Sequence, residues 1–356
     1  MREVDCIVVG QGIAGTMLSY RLLQAGFSVL VVDADHPASA TKVASGVINP
    51  VTGRRVVDTW KIDRILPVAA EAYASISQWL GILPVCKELN VLSIHASLQM
   101  QQAFDKRIRE QNKYIQPVEA ITSYEKYFNA PYGMHQISPV LLIDLQRLLS
   151  SFRSYLKNAD LLLDETFDWS CLEASAQKGE PVRYRTGQHK IQAKWILAAE
   201  GTGVQRNPFF KDLDFRFNKG EALITSIPDL PGTRIYKQRY TIVPWVEKDL
   251  FWIGSTYQWE FDNALPSDQF KQELTHYLNN ELKCPFKIID HIASIRPASV
   301  NRRPFSGWHP TYPAIGILNG LGTKGCSLAP YLSGQWADHL LNDTPLDPET
   351  KMGSRI

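Results

Sequence analysis

The first fifteen residues, MREVDCIVVGQGIAG, constrain the fold most: an apolar strand runs into Gly10-x-Gly12-x-x-Gly15 and on into a helix-forming stretch. Gly10 permits the tight turn off the strand. Gly12 removes the Cβ that would block a pyrophosphate, and Gly15 lets the helix pack close to the sheet. Ile13 and Ala14 lie where free backbone N–H groups of a helix N-terminus bind phosphate. The context supports the motif: Leu18, Leu22 and Leu23 recur at helical spacing, Gly26 stops the helix, and Phe27 to Val32 forms a second strand. Asp33 ends that strand with Ala34 after it, where an acidic side chain hydrogen-bonds the ribose hydroxyls of an adenosine. The order predicts a dinucleotide pocket; the alternative is a glycine-rich βαβ turn that binds nothing.

A chain of 356 residues can bury a sizeable core and suggests about two domains. With 44% hydrophobic and 21% charged residues it is neither disordered nor fibrous, and a net charge of +2 makes no case for nucleic acid. The five cysteines, Cys6, Cys86, Cys171, Cys284 and Cys326, show no C-x-x-C spacing, so neither a disulfide framework nor a zinc site is expected. A reducing cytoplasm fits that usage. No secretory n-region precedes the first strand, and no stretch is long enough to span a bilayer.

Further along, Val43 to Arg55 reads as a small-residue loop and Ile65 to Leu80 as a long amphipathic helix. Leu141 to Leu156 reads as a second helix, followed by a strand at Leu161 to Leu163. Val182 to Tyr184 and Ile191 flank a hairpin-like Thr186-Gly187, and Lys194 to Ala199 ends at Glu200-Gly201-Thr202-Gly203, again a ligand-edge pattern. From Glu221 to Ile253 β-branched and aromatic residues predict an antiparallel sheet, and Gln269 to Leu282 a helix. Ala314 to Leu318 is a strand, Asn319 to Gly325 a second glycine-rich loop, and Leu328, Leu332, Trp336 and Leu340 stripe a last helix with Pro330 in its first turn. A polar tail closes the chain. The fold class expected is mixed α/β. It comprises a Rossmann-like nucleotide domain (1–64, 139–206 and 292–356) and an interleaved antiparallel-sheet substrate domain (65–138 and 207–291).

Three segments together resemble the FAD-dependent oxidoreductases of the D-amino-acid oxidase, glycine oxidase and sarcosine oxidase group. They are the N-terminal glycine motif with Asp33, the strand ending in Ala199-Glu200-Gly201, and Arg296-Pro297-x-Ser299-x-Asn301-x-x-Pro304-x-x-Gly307. The last leads into Gly320-x-Gly322-x-x-Gly325-x-x-x-Ala329-Pro330. The resemblance implies a noncovalent FAD held extended through the first domain, its ring at the border of the second, and a two-electron oxidation of a C–N bond. Phe167, Thr323 and Lys324 join the implied cofactor contacts. Within the group, NGLGTKGCSLAP with Thr344-Pro345-Leu346 is similar to the FAD domain of the bacterial enzyme acting on the carboxymethylaminomethyl group of tRNA wobble uridine. The chain departs from the group in Asn301, where Asp is usual. It departs again in Thr241, where glycine oxidases place a tyrosine that Tyr240 or Tyr257 would replace. The cysteine that tethers flavin in sarcosine oxidases has no counterpart, and Cys326 does not match its position.

By the same resemblance Arg296 grips a substrate carboxylate, a role suited to its planar fork, against a structural arginine paired with an interface acid. Lys324 beside the loop Gly322–Gly325 would stabilise reduced flavin, against a solvated loop lysine. Ser45 and Gly46 are expected near the pyrophosphate or ring. Arg54 and Arg55 would bind an anion or form a surface pair. Of Trp245, Trp252 and Trp259, one is a candidate to face the flavin, although sheet packing is the commoner use. The eight histidines show no metal spacing. The expected partner is a small amine, carboxylate-bearing, with oxygen or a partner protein as electron acceptor. The rivals are a flavin dehydrogenase, a tRNA-modification type of FAD enzyme and a non-catalytic dinucleotide-binding module.

Overall fold

The computed structural model describes residues 1–53, 55–118 and 121–350; Arg54 and the last six residues of the polar tail lie outside them. Two large sheets share the chain. In the first, the Arg2–Val9 strand is central and pairs in parallel with Val29–Val32 on one side and Lys190–Ala198 on the other. Leu162–Leu163 extends one edge in parallel, and Ile315–Asn319 pairs in parallel with Lys190–Ala198. Val182–Arg185, Leu172–Glu173 and Phe305–Trp308 add antiparallel edges. The C-terminal parts of the parallel strands, residues 6–9 and 196–198, and all of Val29–Val32 are apolar because helices cover one face and an aromatic cluster around Phe167, Trp169 and Tyr184 covers the other.

The second sheet runs Lys287–Ser299, Phe215–Ser226, Leu250–Gly254, Thr241–Pro244, Ile235–Lys237, Cys86–Ile94, Met134–Ile143, Val47–Ile48, with Ile115–Pro117 also on Met134–Ile143. It is antiparallel, as expected, except where Ile235–Lys237 lies parallel to Cys86–Ile94. Its inner face joins the helical core; its outer face packs Leu223, Phe251 and Ile253 against the Asp268–Glu281 helix. The expected domain limits at 138/139 and 291/292 fall inside two of its strands, Met134–Ile143 and Lys287–Ser299.

Several elements differ from the sequence reading. The predicted helix over 141–156 begins only at Leu145: Leu141 and Leu142 are paired in the second sheet, and Asp144 caps the helix by accepting the Arg147 N–H at 2.9 Å. The helix expected at Ile65 starts at Ile62 and buries Ile62, Ile65, Ala69, Tyr73 and Ile76 on one stripe. Pro330 lies in the second turn of the Gly325–Asn342 helix, not the first. A proline there withholds the N–H that would bond the Cys326 carbonyl. The Tyr73 hydroxyl donates to that carbonyl instead, at 2.7 Å, tying two helices together.

Candidate functional site

The C-terminal ends of the parallel strands, at Gly10, Asp33, Ala199 and Asn319, open onto one cavity of about 710 Å³ that continues under the inner face of the second sheet. Gly10 holds φ +99, and a Cβ there would lie 2.5 Å from the Ala199 carbonyl oxygen. A Cβ on Gly15 would lie 1.8 Å from the Gly10 oxygen, so strand, turn and helix meet in backbone contact. Gly12 differs: its Cβ would meet only the Thr41 hydroxyl, at 3.2 Å, and would otherwise stand in the cavity.

Two helix N-termini border this space. The Ile13–Gln24 helix has Gly12 as N-cap and the Gly325–Asn342 helix has Lys324, neither with a side-chain cap. Thr41 takes the Ile13 N–H at 3.0 Å, and the cap geometry leaves partial positive charge for an anionic ligand at each end. This cradle fits FAD: two uncapped helix ends and a glycine without a Cβ face one cavity. Cys326 also lines the cavity, but burial pushes its thiol up to about 12, so it supplies no thiolate for a covalent tether.

Of the residues singled out in the sequence, Gly10, Gly12, Ile13, Ala14, Asp33, Ser45, Ala199, Gly201, Gly322, Thr323, Lys324, Gly325 and Arg296 line the cavity. Gly15, Ala34, Gly46, Phe167 and Gly320 do not. Gly15 and Gly46 serve close backbone approach instead, a Cβ on Gly46 lying 2.1 Å from the Ile143 oxygen. Phe167 stacks on Tyr184 at 4.3 Å on the far face of the nucleotide sheet, and Ala34 is exposed. Gly320 packs on Phe305. Arg55 is exposed outside the cavity.

Asp33 is engaged within the protein. Its carboxylate accepts the Gln11 and Asp35 N–H groups and the Arg153 guanidinium, each at 2.8 Å. That leaves room for about one further donor, such as a ribose hydroxyl. Glu200 also lines the cavity, accepting Trp169 Nε1 and Asn207 Nδ2 at 2.7 Å each, and burial pushes its carboxyl up to about 7.

At the other end Arg296 projects from the Lys287–Ser299 strand. Its guanidinium donates to Asn218 Oδ1 at 3.1 Å and the Thr256 carbonyl at 3.2 Å, and lies 5.3 Å from the centre of the Tyr257 ring. It sits directly over Gly220, where a Cβ would be 1.8 Å from Nη2. Both acceptors are neutral, and no carboxylate among the described residues pairs with it. Burial pushes it below the usual arginine value. Lys324 is likewise lowered by burial and by Arg303 and Arg302, without a side-chain partner among the described residues.

Tyr257 lines the cavity and donates its hydroxyl to Thr323 Oγ1 at 3.1 Å, whereas Tyr240 lies on the outer face, bonded to Glu273. Trp252 lines the cavity too; Trp245 and Trp259 do not. Asn301 organises its own turn, accepting the Ser299 hydroxyl and the Arg303 N–H at 2.9 Å each. The sequence reading missed Thr41 and Lys237, both cavity-lining. Lys237 belongs to a three-residue strand, too short for alternation to reveal which face it takes.

The sequence is 24% identical over 361 residues to a glycine oxidase of Bacillus licheniformis, covering 96% of this chain and 94% of that protein. The crystal structure of glycine oxidase from Geobacillus kaustophilus superposes with a TM-score of 0.80 at 15% identity, all of both chains covered. The open form of NikD, an unusual amino acid oxidase essential for nikkomycin biosynthesis, gives 0.79 at 13%, covering 100% of this chain and 99% of that one. These likenesses agree with the two-sheet architecture. The sequence model of the FAD dependent oxidoreductase family (DAO) matches residues 5–340, nearly the whole length, and the chain belongs to that family.

Proposed function

We propose that this FAD-dependent oxidoreductase oxidises the C–N bond of an amino acid or secondary amine that carries a carboxylate. The observation that carries the reading is Arg296: a half-buried guanidinium facing the cavity, held by neutral acceptors and without a carboxylate partner among the described residues. A desolvated charge without a counter-ion is costly, and a substrate carboxylate supplies one. FAD, held by the glycine motif and the second glycine loop, would supply the two-electron oxidation by taking a hydride from the substrate carbon, and the imine product would then be hydrolysed. Arg296 fixes the carboxylate, and Tyr257 backs the guanidinium with its ring. Lys324 and the uncapped helix behind it would provide positive charge to stabilise the reduced form of the cofactor. Oxygen or a partner protein takes the electrons. The nucleotide unit is 1–64, 139–206 and 292–356, and the substrate unit is the remainder, with strands shared at the limits.

The test is anaerobic bleaching of the purified yellow protein by glycine, sarcosine, D-amino acids, cyclic imino acids and modified uridines. At least one carboxylate-bearing amine is expected to bleach the flavin, and oxygen uptake then separates oxidase from dehydrogenase. Acid precipitation should release the FAD. No bleaching by any amine with a carboxylate, alongside bleaching by a neutral one, refutes the reading.

A further inference from the structure

The charges lining the cavity are unevenly distributed. Its acids, Asp33, Asp35 and Glu200, all sit at strand ends of the nucleotide sheet. The inner face of the second sheet contributes no acid to the cavity among the described residues, yet it contributes Arg296 and Lys237. The Lys237 ammonium makes no hydrogen bond or ion pair among the described residues, and burial alone pushes it below the usual lysine value. Its neighbours in the sheet are short and neutral, Ser93 on one side and Thr241 on the other.

Register connects the two cations. Lys237 is directly opposite Thr241, and Thr241 is directly opposite Gly254, so the three share one row and one face. From Gly254 the chain continues through Ser255 to Thr256 and Tyr257, whose carbonyl and ring hold the Arg296 guanidinium. Gly254, Ser255 and Tyr257 line the same cavity as the two cations. The glycine motif would hold the cofactor's phosphates, and Lys324 with its helix end would serve the ring; Lys237 belongs to neither element.

Resting on the reading that Arg296 takes the substrate carboxylate, we propose that the substrate carries a second acidic group and that Lys237 receives it. The substrate class is a dianionic amine, with an acid group on either side of the C–N bond undergoing oxidation. An ion pair formed away from water offsets the cost of a desolvated lysine, which a monocarboxylate leaves in place.

The experiment titrates the FAD-loaded protein at pH 8 with two unreactive thioethers and follows the flavin absorbance. Thiodiacetate carries two carboxylates, and (methylthio)acetate is the same molecule with one replaced by hydrogen. The wild-type protein should bind thiodiacetate about tenfold tighter or more. Lys237→Met should abolish that preference while leaving (methylthio)acetate affinity unchanged, and Lys237→Arg should retain it. Equal binding of both ligands by the wild-type protein, or an undiminished preference in Lys237→Met, overturns the proposal. If Lys237→Met fails to hold FAD, Lys237→Gln, uncharged with a polar head, makes the same comparison. Unaltered (methylthio)acetate affinity in Arg296→Met would instead overturn the carboxylate reading itself.

Discussion

Gly220 offers a way to displace Arg296 without touching it. A Cβ at Gly220 would lie 1.8 Å from Arg296 Nη2, 2.1 Å from Cζ and 2.4 Å from Nη1. The clash is with the far end of a flexible side chain, so in Gly220→Ala the backbone holds and the guanidinium moves. It then leaves the Asn218 and Thr256 oxygens and the Tyr257 ring. The stability cost of those neutral contacts, about 1 to 2 kcal/mol, is partly offset by about 0.5 to 1 kcal/mol from replacing a strand glycine. Substrate recognition suffers more: a buried carboxylate deprived of its guanidinium loses about 2 to 5 kcal/mol, and 3 kcal/mol lowers kcat/KM by roughly a hundredfold. The assay compares kcat/KM for a carboxylate-bearing amine and its uncharged amide, with FAD content and thermal unfolding as controls. A variant with normal FAD and wild-type kcat/KM on the carboxylate substrate would refute the clamp. An equal loss on the amide would mean that the cavity, and not the carboxylate contact, was disturbed.

The glycines of the first motif should separate by what their Cβ would meet: Gly12→Val should fold but lack FAD, whereas Gly15→Ala, with backbone 1.8 Å away, should not accumulate as soluble protein. A yellow Gly12→Val, judged by the ratio of visible to ultraviolet absorbance, would refute the assignment. Asp33→Ala removes the acceptor of two N–H groups and a partner of buried Arg153, and should cost about 3 kcal/mol in urea unfolding even without FAD; unchanged apoprotein stability would refute this. His95 donates Nδ1–H to the Tyr132 carbonyl and accepts from His135, stacked on Phe104, and burial lowers it to about 4. Because the unfolded chain protonates first, near pH 6.5, its contribution is complete above that pH and falls by about 3 kcal/mol towards pH 4. The stability gap to His95→Gln should therefore narrow over that window, and a constant gap would refute it. Lys324→Met should weaken a sulfite adduct of the flavin and slow reduction by every amine alike, checked by stopped flow; normal half-reactions would make Lys324 structural.

What the sequence revealed about the fold was what local stereochemistry controls. Gly10 at φ +99 ends a strand, and the spacing to Gly12 and Gly15 follows from one turn and one helix start, all within six residues. The end of the Met134–Ile143 strand was hidden because Leu141 and Leu142 continue the apolar stripe of the helix behind them. Pairing with Lys87 and Glu88 on one side, and with Val47 and Ile48, nearly a hundred residues earlier, on the other, makes them strand. Asp144 was the available correction, since an acidic residue followed by a helical pattern marks an N-cap.

The cavity divides in the same way. Its phosphate end is made by consecutive residues and could be read directly, whereas its substrate end is assembled across strands. Arg296 reaches its position because Gly220, on the neighbouring strand, has no side chain to occupy that space. Lys237 reaches the cavity because its immediate neighbours in the row, Ser93 and Thr241, are short. Neither dependence has a signature along the chain, since each joins a cation to the absence of bulk elsewhere. On the proposed roles of these residues, the cofactor end is encoded locally, while discrimination among substrates would rest on sheet register. A single change such as Gly254→Val, whose Cβ would lie 2.9 Å from the Glu221 carbonyl oxygen, should accordingly alter substrate recognition through both cations while leaving the glycine motif intact.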